Sequence, residues 1–289
     1  MIKQSMLVLV ALSLSLAAST AASSQDIGSP ENVTVQNGSA RLHALLWRPR
    51  GPGPFPAILF NHGSGRTPED LKRLGPYESQ AYILGPVFAR HGYEFLYLFR
   101  RGVGLSADQG TNAVDLMNGE LATHDQAARD ALQLRLLDTR EMSDALSGLA
   151  LLRARPEVKA SDVAVVGHSF GGSLTLLMTQ REPDLRAVVV FSLAGYSWDR
   201  SPELRSRLLA AAADVKPPVF FIHAANDYSI ASGQTIDARM RKLGKPSYLK
   251  IYPPIGRTSE EGHEIPYLGV SEWETDVFSF LDRYMRQAR

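Results

Sequence analysis

Cysteine is absent from the 289 residues, which excludes disulfides, thiolate metal ligands and a lipid-modified cysteine. Net charge is nearly absent too: 31 Lys and Arg face 30 Asp and Glu, the formal charge is +1, and no basic run stands out. A nucleic-acid partner is therefore not expected. Long apolar runs are scarce. The run Met6 to Ala18 follows Lys3, precedes small residues from Ser19 to Ser24, and falls short of the about 20 residues a spanning helix needs. That layout predicts an export leader over residues 1–22, cleaved after Ala21 or Ala22, and a secreted or periplasmic mature protein without stable membrane insertion. Also missing are a His-Glu-x-x-His motif, a carboxylate cluster with ligand spacing and a phosphate loop. Gly102-Val103-Gly104 lacks the third glycine and acidic partner of a dinucleotide fingerprint, so neither a metal nor another cofactor is expected.

What the sequence does have is 44% hydrophobic residues, enough for one sizeable α/β core over residues 23–289. Asn37-Gly38 predicts a hairpin within Glu31 to Pro49. Apolar strands are predicted at Phe55 to Phe60, Tyr93 to Phe99, from Val163, and at Ala187 to Phe191, Val219 to His223 and Tyr248 to Tyr252. Helices are predicted between Glu78 and Arg90, with Pro86 tolerated only near a first turn, and over Leu116 to Leu137, Glu141 to Arg153, Ser201 to Ala213, Ile236 to Leu243 and Glu272 to Tyr284. This alternation predicts a mainly parallel sheet covered by helices on both faces. Ser192 to Pro217 is too short for a large lid, which predicts an open pocket. For Leu105 to Glu141, longer than a simple connection needs, two readings stand: a wall of the ligand pocket, or a surface helix pair.

The most informative stretch is Val163-Ala-Val-Val-Gly-His-Ser-Phe-Gly-Gly172, in which an apolar strand meets Gly-x-Ser-x-Gly and a helix can begin at once. Such a turn forces Ser169 into strained backbone and lifts its hydroxyl clear of the sheet, which requires neighbours without side chains. Gly167 and Gly171 meet that requirement. A serine hydroxyl needs a base to become a nucleophile, and the base needs an acid to hold its tautomer. Asp227, on the loop after the Val219 strand, is the candidate acid. His263 is the candidate base, because no other histidine lies downstream of that acid. His168 is expected to pack beside the nucleophile, and His223 to be a strand-end residue. The backbone amides of Phe170 and Ser64 are the candidate oxyanion donors, with Gly65 as the fallback for Ser64.

With Ser169, Asp227 and His263 in that order, the chain resembles the α/β-hydrolase superfamily, in particular its dienelactone hydrolase-like and prolyl-oligopeptidase-like branch. The resemblance runs through the opening hairpin to Pro54-Phe-Pro-Ala-Ile-Leu-Phe-Asn-His-Gly63, the turn Arg101-Gly-Val-Gly-Leu-Ser106, the elbow, the acid loop and Gly262-His263. It departs in three ways: dienelactone hydrolases use a cysteine nucleophile, 289 residues leave no room for a β-propeller, and Phe99 stands where relatives often carry aspartate. What the resemblance implies is an uncapped serine hydrolase cleaving carboxylic esters of small to moderate soluble substrates through a covalent acyl-enzyme. A serine peptidase acting on short peptides is the alternative, and a non-catalytic binding protein of the same fold a third reading. Acyl group, leaving group and oligomeric state stay open.

Overall fold

In a computed structural model, which describes residues 27–64 and 75–286, the chain opens with Glu31–Asn37 (β1) paired antiparallel to Ala40–Trp47 (β2). The expected leader and Gly65 lie outside the described residues. Asn37 pairs with Ala40, so the hairpin turns at Gly38-Ser39, and Gly38 supplies the φ of 58° that this tight turn requires.

Phe55–Asn61 (β3), Glu94–Leu98 (β4), Val158–His168 (β5), Val188–Phe191 (β6), Val219–Ala224 (β7) and Ser247–Tyr252 (β8) complete an eight-stranded sheet of order β1-β2-β4-β3-β5-β6-β7-β8. Only the pairs β1/β2 and β2/β4 are antiparallel. The strands β4, β6 and β7 are buried at every position, the signature of a sheet covered on both faces. One face carries Tyr77–Arg90 (α1) and the C-terminal helix Val270–Met285 (α10), whose Trp273, Val277, Phe280 and Leu281 enter the core as their spacing predicts. Against the other face pack Gln126–Asp138 (α3), Arg140–Ala154 (α4), Phe170–Met178 (α5), Pro202–Asp214 (α6) and Ala231–Lys242 (α7). Ala113–Thr123 (α2) precedes α3, while Ser259–His263 (α8) and Ile265–Leu268 (α9) lead into α10. Among the described residues no helix is long and apolar enough to cross a membrane.

Two expectations need correction. Pro86 lies in the interior of α1, not in its first turn. Gly85 before it has no Cβ to meet the proline ring, and a Cβ there would sit 2.1 Å from the Trp47 ring. The carbonyl that loses its donor belongs to Tyr82, on the solvent-facing side of the helix. The single helix expected over Leu116 to Leu137 is two, because the Asp125 side chain accepts from the Ala128 N–H (2.8 Å) and starts α3 afresh after α2 has ended at Thr123.

Candidate active site

Strand β5 delivers Ser169 to the carboxyl edge of the sheet with φ 56° and ψ −116°, a conformation that costs an L-residue on the order of 1–3 kcal/mol. Among the described residues, the only other non-glycine residues with positive φ are Ser192 and Ala194, both on the loop beside it. Strain is concentrated at this rim. Over-determined surroundings hold it: the Ser169 N–H donates to the Phe191 carbonyl (3.0 Å), and the Ser169 carbonyl accepts from Ser173 (3.0 Å). The two elbow glycines are required by crowding. A Cβ on Gly167 would lie 2.3 Å from Thr175 Oγ1, and one on Gly171 would lie 2.1 Å from the carbonyl oxygens of Asn61 and His62.

The three residues expected to meet do meet. Ser169 Oγ donates to His263 Nε2 at 2.8 Å, and His263 Nδ1 donates to Asp227 Oδ1 at 2.7 Å. Since a carboxylate only accepts, the second contact puts the His263 proton on Nδ1 and leaves Nε2 free to take one from the serine. His263 closes the short helix α8, which begins with a capping box between Thr258 and Glu261. Asn226, too neutral to serve as the acid, ties that loop to the acid loop instead: its Nδ2 donates to Ile255 O (2.9 Å) and Thr258 O (2.8 Å), and its Oδ1 accepts from Ile255 N (2.9 Å). The carbonyl of His263 accepts from His168 Nε2 and Ser192 Oγ, both at 2.9 Å, so His168 packs beside the Ser169–His263 pair, as expected, and also pins His263.

One partner went unforeseen. His223 is fully buried, and its Nδ1 donates to Asp227 Oδ2 at 2.8 Å. Asp227 therefore lies between two imidazoles, with the Tyr228 N–H on Oδ1 as a third donor (2.7 Å). The only hint in the sequence was the spacing His223-Ala-Ala-Asn-Asp227, which brings a strand-end side chain back over the acid across a turn.

Burial by itself would raise the Asp227 pKa, but the hydrogen bonds from His223 and His263 outweigh it and hold the carboxyl far below the usual carboxylate range. A depressed carboxyl stabilises the fold above its ordinary value of about 3.9, and that contribution fades as pH falls toward the folded-state value. Asp227→Asn is thus expected to be less stable than the parent at neutral pH, with the gap narrowing below about pH 3.9. Urea denaturation at a series of pH values measures this. A gap that does not change with pH would contradict an ionised, stabilising Asp227.

Ser169 and His263 open onto a cavity of about 430 Å³, inside the range of about 300–1,000 Å³ typical of small-molecule sites. Ser64 and Phe170 line it as well. Phe170 is the first residue of α5, where a helix leaves its N–H without an intrahelical acceptor. Gly63 borders Ser169, since a Cβ on it would make an ordinary van der Waals contact with Ser169 Cβ at 3.7 Å. Of the two readings for the segment after Leu105, the pocket wall is the one found: Val114, Met117 and Leu121 from α2 and Arg129 and Gln133 from α3 face the cavity. Opposite stand Tyr196 and Tyr228, half-exposed and edge to face with ring centroids 5.6 Å apart.

The arrangement has the parts for acyl transfer: a hydroxyl on a base, an acid behind the base, and amides at the same rim. No curated protein matches the sequence. Among solved structures, an acylaminoacyl peptidase of Pyrococcus horikoshii superposes with a TM-score of 0.62 at 18% identity, over 91% of this chain and 43% of that one. The chain thus spans less than half the length of that peptidase. A dienelactone hydrolase of Anabaena variabilis matches with a TM-score of 0.57 at 20% identity, over 90% of this chain and 100% of its own. An esterase of Pyrococcus furiosus matches with a TM-score of 0.59 at 16% identity, over 89% and 91%. At such identities the likeness establishes the α/β-hydrolase fold. The dienelactone hydrolase family model matches residues 98–258, more than half of the sequence, and with the fold it leads to one conclusion: the chain belongs to the dienelactone hydrolase family of hydrolases.

Proposed function

We propose that this protein is a serine esterase, cleaving carboxylic esters of small to moderate soluble substrates through a covalent acyl-enzyme. Ser169 Oγ attacks the ester carbonyl carbon while its proton passes to His263 Nε2. The carbonyl oxygen, now an oxyanion, is held by the Ser64 and Phe170 amides. As the tetrahedral adduct collapses, the ester C–O bond breaks and His263 returns the proton to the leaving alcohol. Water then enters, gives a proton to His263, and repeats the sequence to release the acid. Asp227 keeps the imidazole in its working tautomer and stabilises the cation it becomes.

The observation that carries this reading is the continuous chain Ser169 Oγ to His263 Nε2 (2.8 Å) and His263 Nδ1 to Asp227 Oδ1 (2.7 Å) at the mouth of a cavity. Short p-nitrophenyl esters tested beside aminoacyl p-nitroanilides separate it from the peptidase reading, to which the likeness with an acylaminoacyl peptidase belongs. Turnover of the esters is expected. Turnover confined to the anilides would assign a serine peptidase. A fluorophosphonate is expected to label Ser169, and absence of labelling beside a reactive control hydrolase would favour a non-catalytic binding protein.

A further inference from the structure

Arg100 is a cation only 1% exposed, lies just past the end of β4, and takes no part in the proton transfers above. Its Nε donates to Glu141 Oε2 at 2.7 Å. Its Nη2 donates to the carbonyl oxygens of His62 (2.9 Å) and Gly63 (2.8 Å). Its guanidinium also stands 5.7 Å from the centre of the Phe170 ring. One side chain therefore touches both segments whose amides are assigned to the oxyanion.

Peptide geometry turns that contact into a direction. In a trans peptide the C=O and the following N–H point opposite ways, and the only cis bond among the described residues is Gly53–Pro54. The Gly63 carbonyl and the Ser64 N–H share one such unit. Two donors hold that carbonyl, Arg100 Nη2 and His62 Nδ1 (2.8 Å). The Nε2 of His62 accepts from the Arg100 backbone N–H at 3.2 Å, which places the imidazole proton on Nδ1. Fixing the carbonyl toward Arg100 aims the Ser64 N–H away from it, while Gly63 itself lies against Ser169 and Ser64 lines the cavity. A cation on the carbonyl also polarises the peptide and strengthens its N–H as a donor.

We infer that Arg100 is a positioning residue of the oxyanion site, aiming and polarising the Ser64 amide through the Gly63 carbonyl. The inference rests on the serine-esterase reading. A purely structural role explains less, because a buried ion pair is poor value for stability against apolar packing. Glu141 also has a second cation, Arg140, with Nη2 2.7 Å from Oε1, so it does not need Arg100 for charge balance.

The test is the kinetics of Arg100→Met and Arg100→Lys on a short p-nitrophenyl ester, with active sites counted by fluorophosphonate labelling carried to completion. A boronic acid, whose tetrahedral serine adduct places an oxygen in the oxyanion site, is titrated in parallel. For Arg100→Met we expect kcat to fall about 10- to 100-fold, less than or equal to the loss of a whole donor, with KM within about threefold. Boronate affinity should fall in step with kcat/KM. Arg100→Lys keeps a cation beside Glu141 and reports on the inference if the Met variant does not fold; its expected loss is smaller, because a single ammonium does not reproduce the guanidinium's planar fork. Parental kcat in a folded variant, boronate affinity unmoved while kcat falls, or failure of both variants to fold would each overturn the inference. Ser169→Ala separates the two levels: if it keeps the parental turnover, the serine reading itself fails, whatever Arg100 does.

Discussion

Replacing Ser169 with alanine is expected, on the proposed mechanism, to cut ester turnover by about 10⁴- to 10⁶-fold, because the three groups would act as a unit and the hydroxyl oxygen would form the bond to the substrate. Stability should barely move. The Ser169 Oγ makes its hydrogen bond to His263 Nε2, at a site open to the cavity, and alanine inherits the same strained backbone without emptying any core volume. Initial rates on p-nitrophenyl acetate, set beside a melting curve, check both halves. Parental turnover in the alanine variant would remove Ser169 from the mechanism. Collapse of the melting midpoint would instead mean that the hydroxyl supports the fold.

Gly171→Ala should have the opposite profile, a large loss of stability with activity lost as a result. The added Cβ would lie 2.1 Å from the carbonyl oxygens of both Asn61 and His62, which are backbone atoms and have no rotamer to escape into. Helix α5 would have to lift off the sheet, taking the Phe170 amide and the Ser169 backbone with it. Overpacking of this kind is expected to cost about 3 kcal/mol or more. Gly119→Ala is the internal comparison: it lies exposed in α2, a Cβ there meets nothing within 4 Å, and alanine is the better helix former by about 1 kcal/mol. Urea denaturation of both variants measures the contrast. Equal stabilities would show that the packing around the elbow yields more easily than its geometry implies.

How much of this was legible beforehand follows from the range of the interactions involved. The elbow was legible because its requirements are local: an apolar strand, two glycines and a helix start within ten residues. Asp227 and His263 were found by chain order, since each follows the end of a parallel strand and the sheet brings those ends to one edge. His223 and Arg100 were not found. Their contacts are with Asp227 across a turn and with the loop after the neighbouring strand β3, distant in the chain, and nothing in their own neighbourhoods distinguishes them from a strand-end histidine or a surface arginine. Pro86 differs from expectation although Gly85 stands beside it in the sequence; what is not local is Trp47, on a strand far away in the chain, which fills the space a Cβ at residue 85 would need. The break at Asp125 had a local signal, a capping aspartate, that the apolar period on either side concealed.

The wall formed by α2 and α3 lies between β4 and α4, outside the strand-helix repeats that carry Ser169, Asp227 and His263. On the proposed function, the reacting groups and this part of the cavity wall therefore come from separate stretches of the polypeptide. On that reading, exchange of the cavity-facing Val114, Met117, Leu121, Arg129 and Gln133 can reshape what enters the cleft, while Leu132, Leu136 and Leu137 of the same stretch stay in the core and keep the wall in register with the proposed machinery.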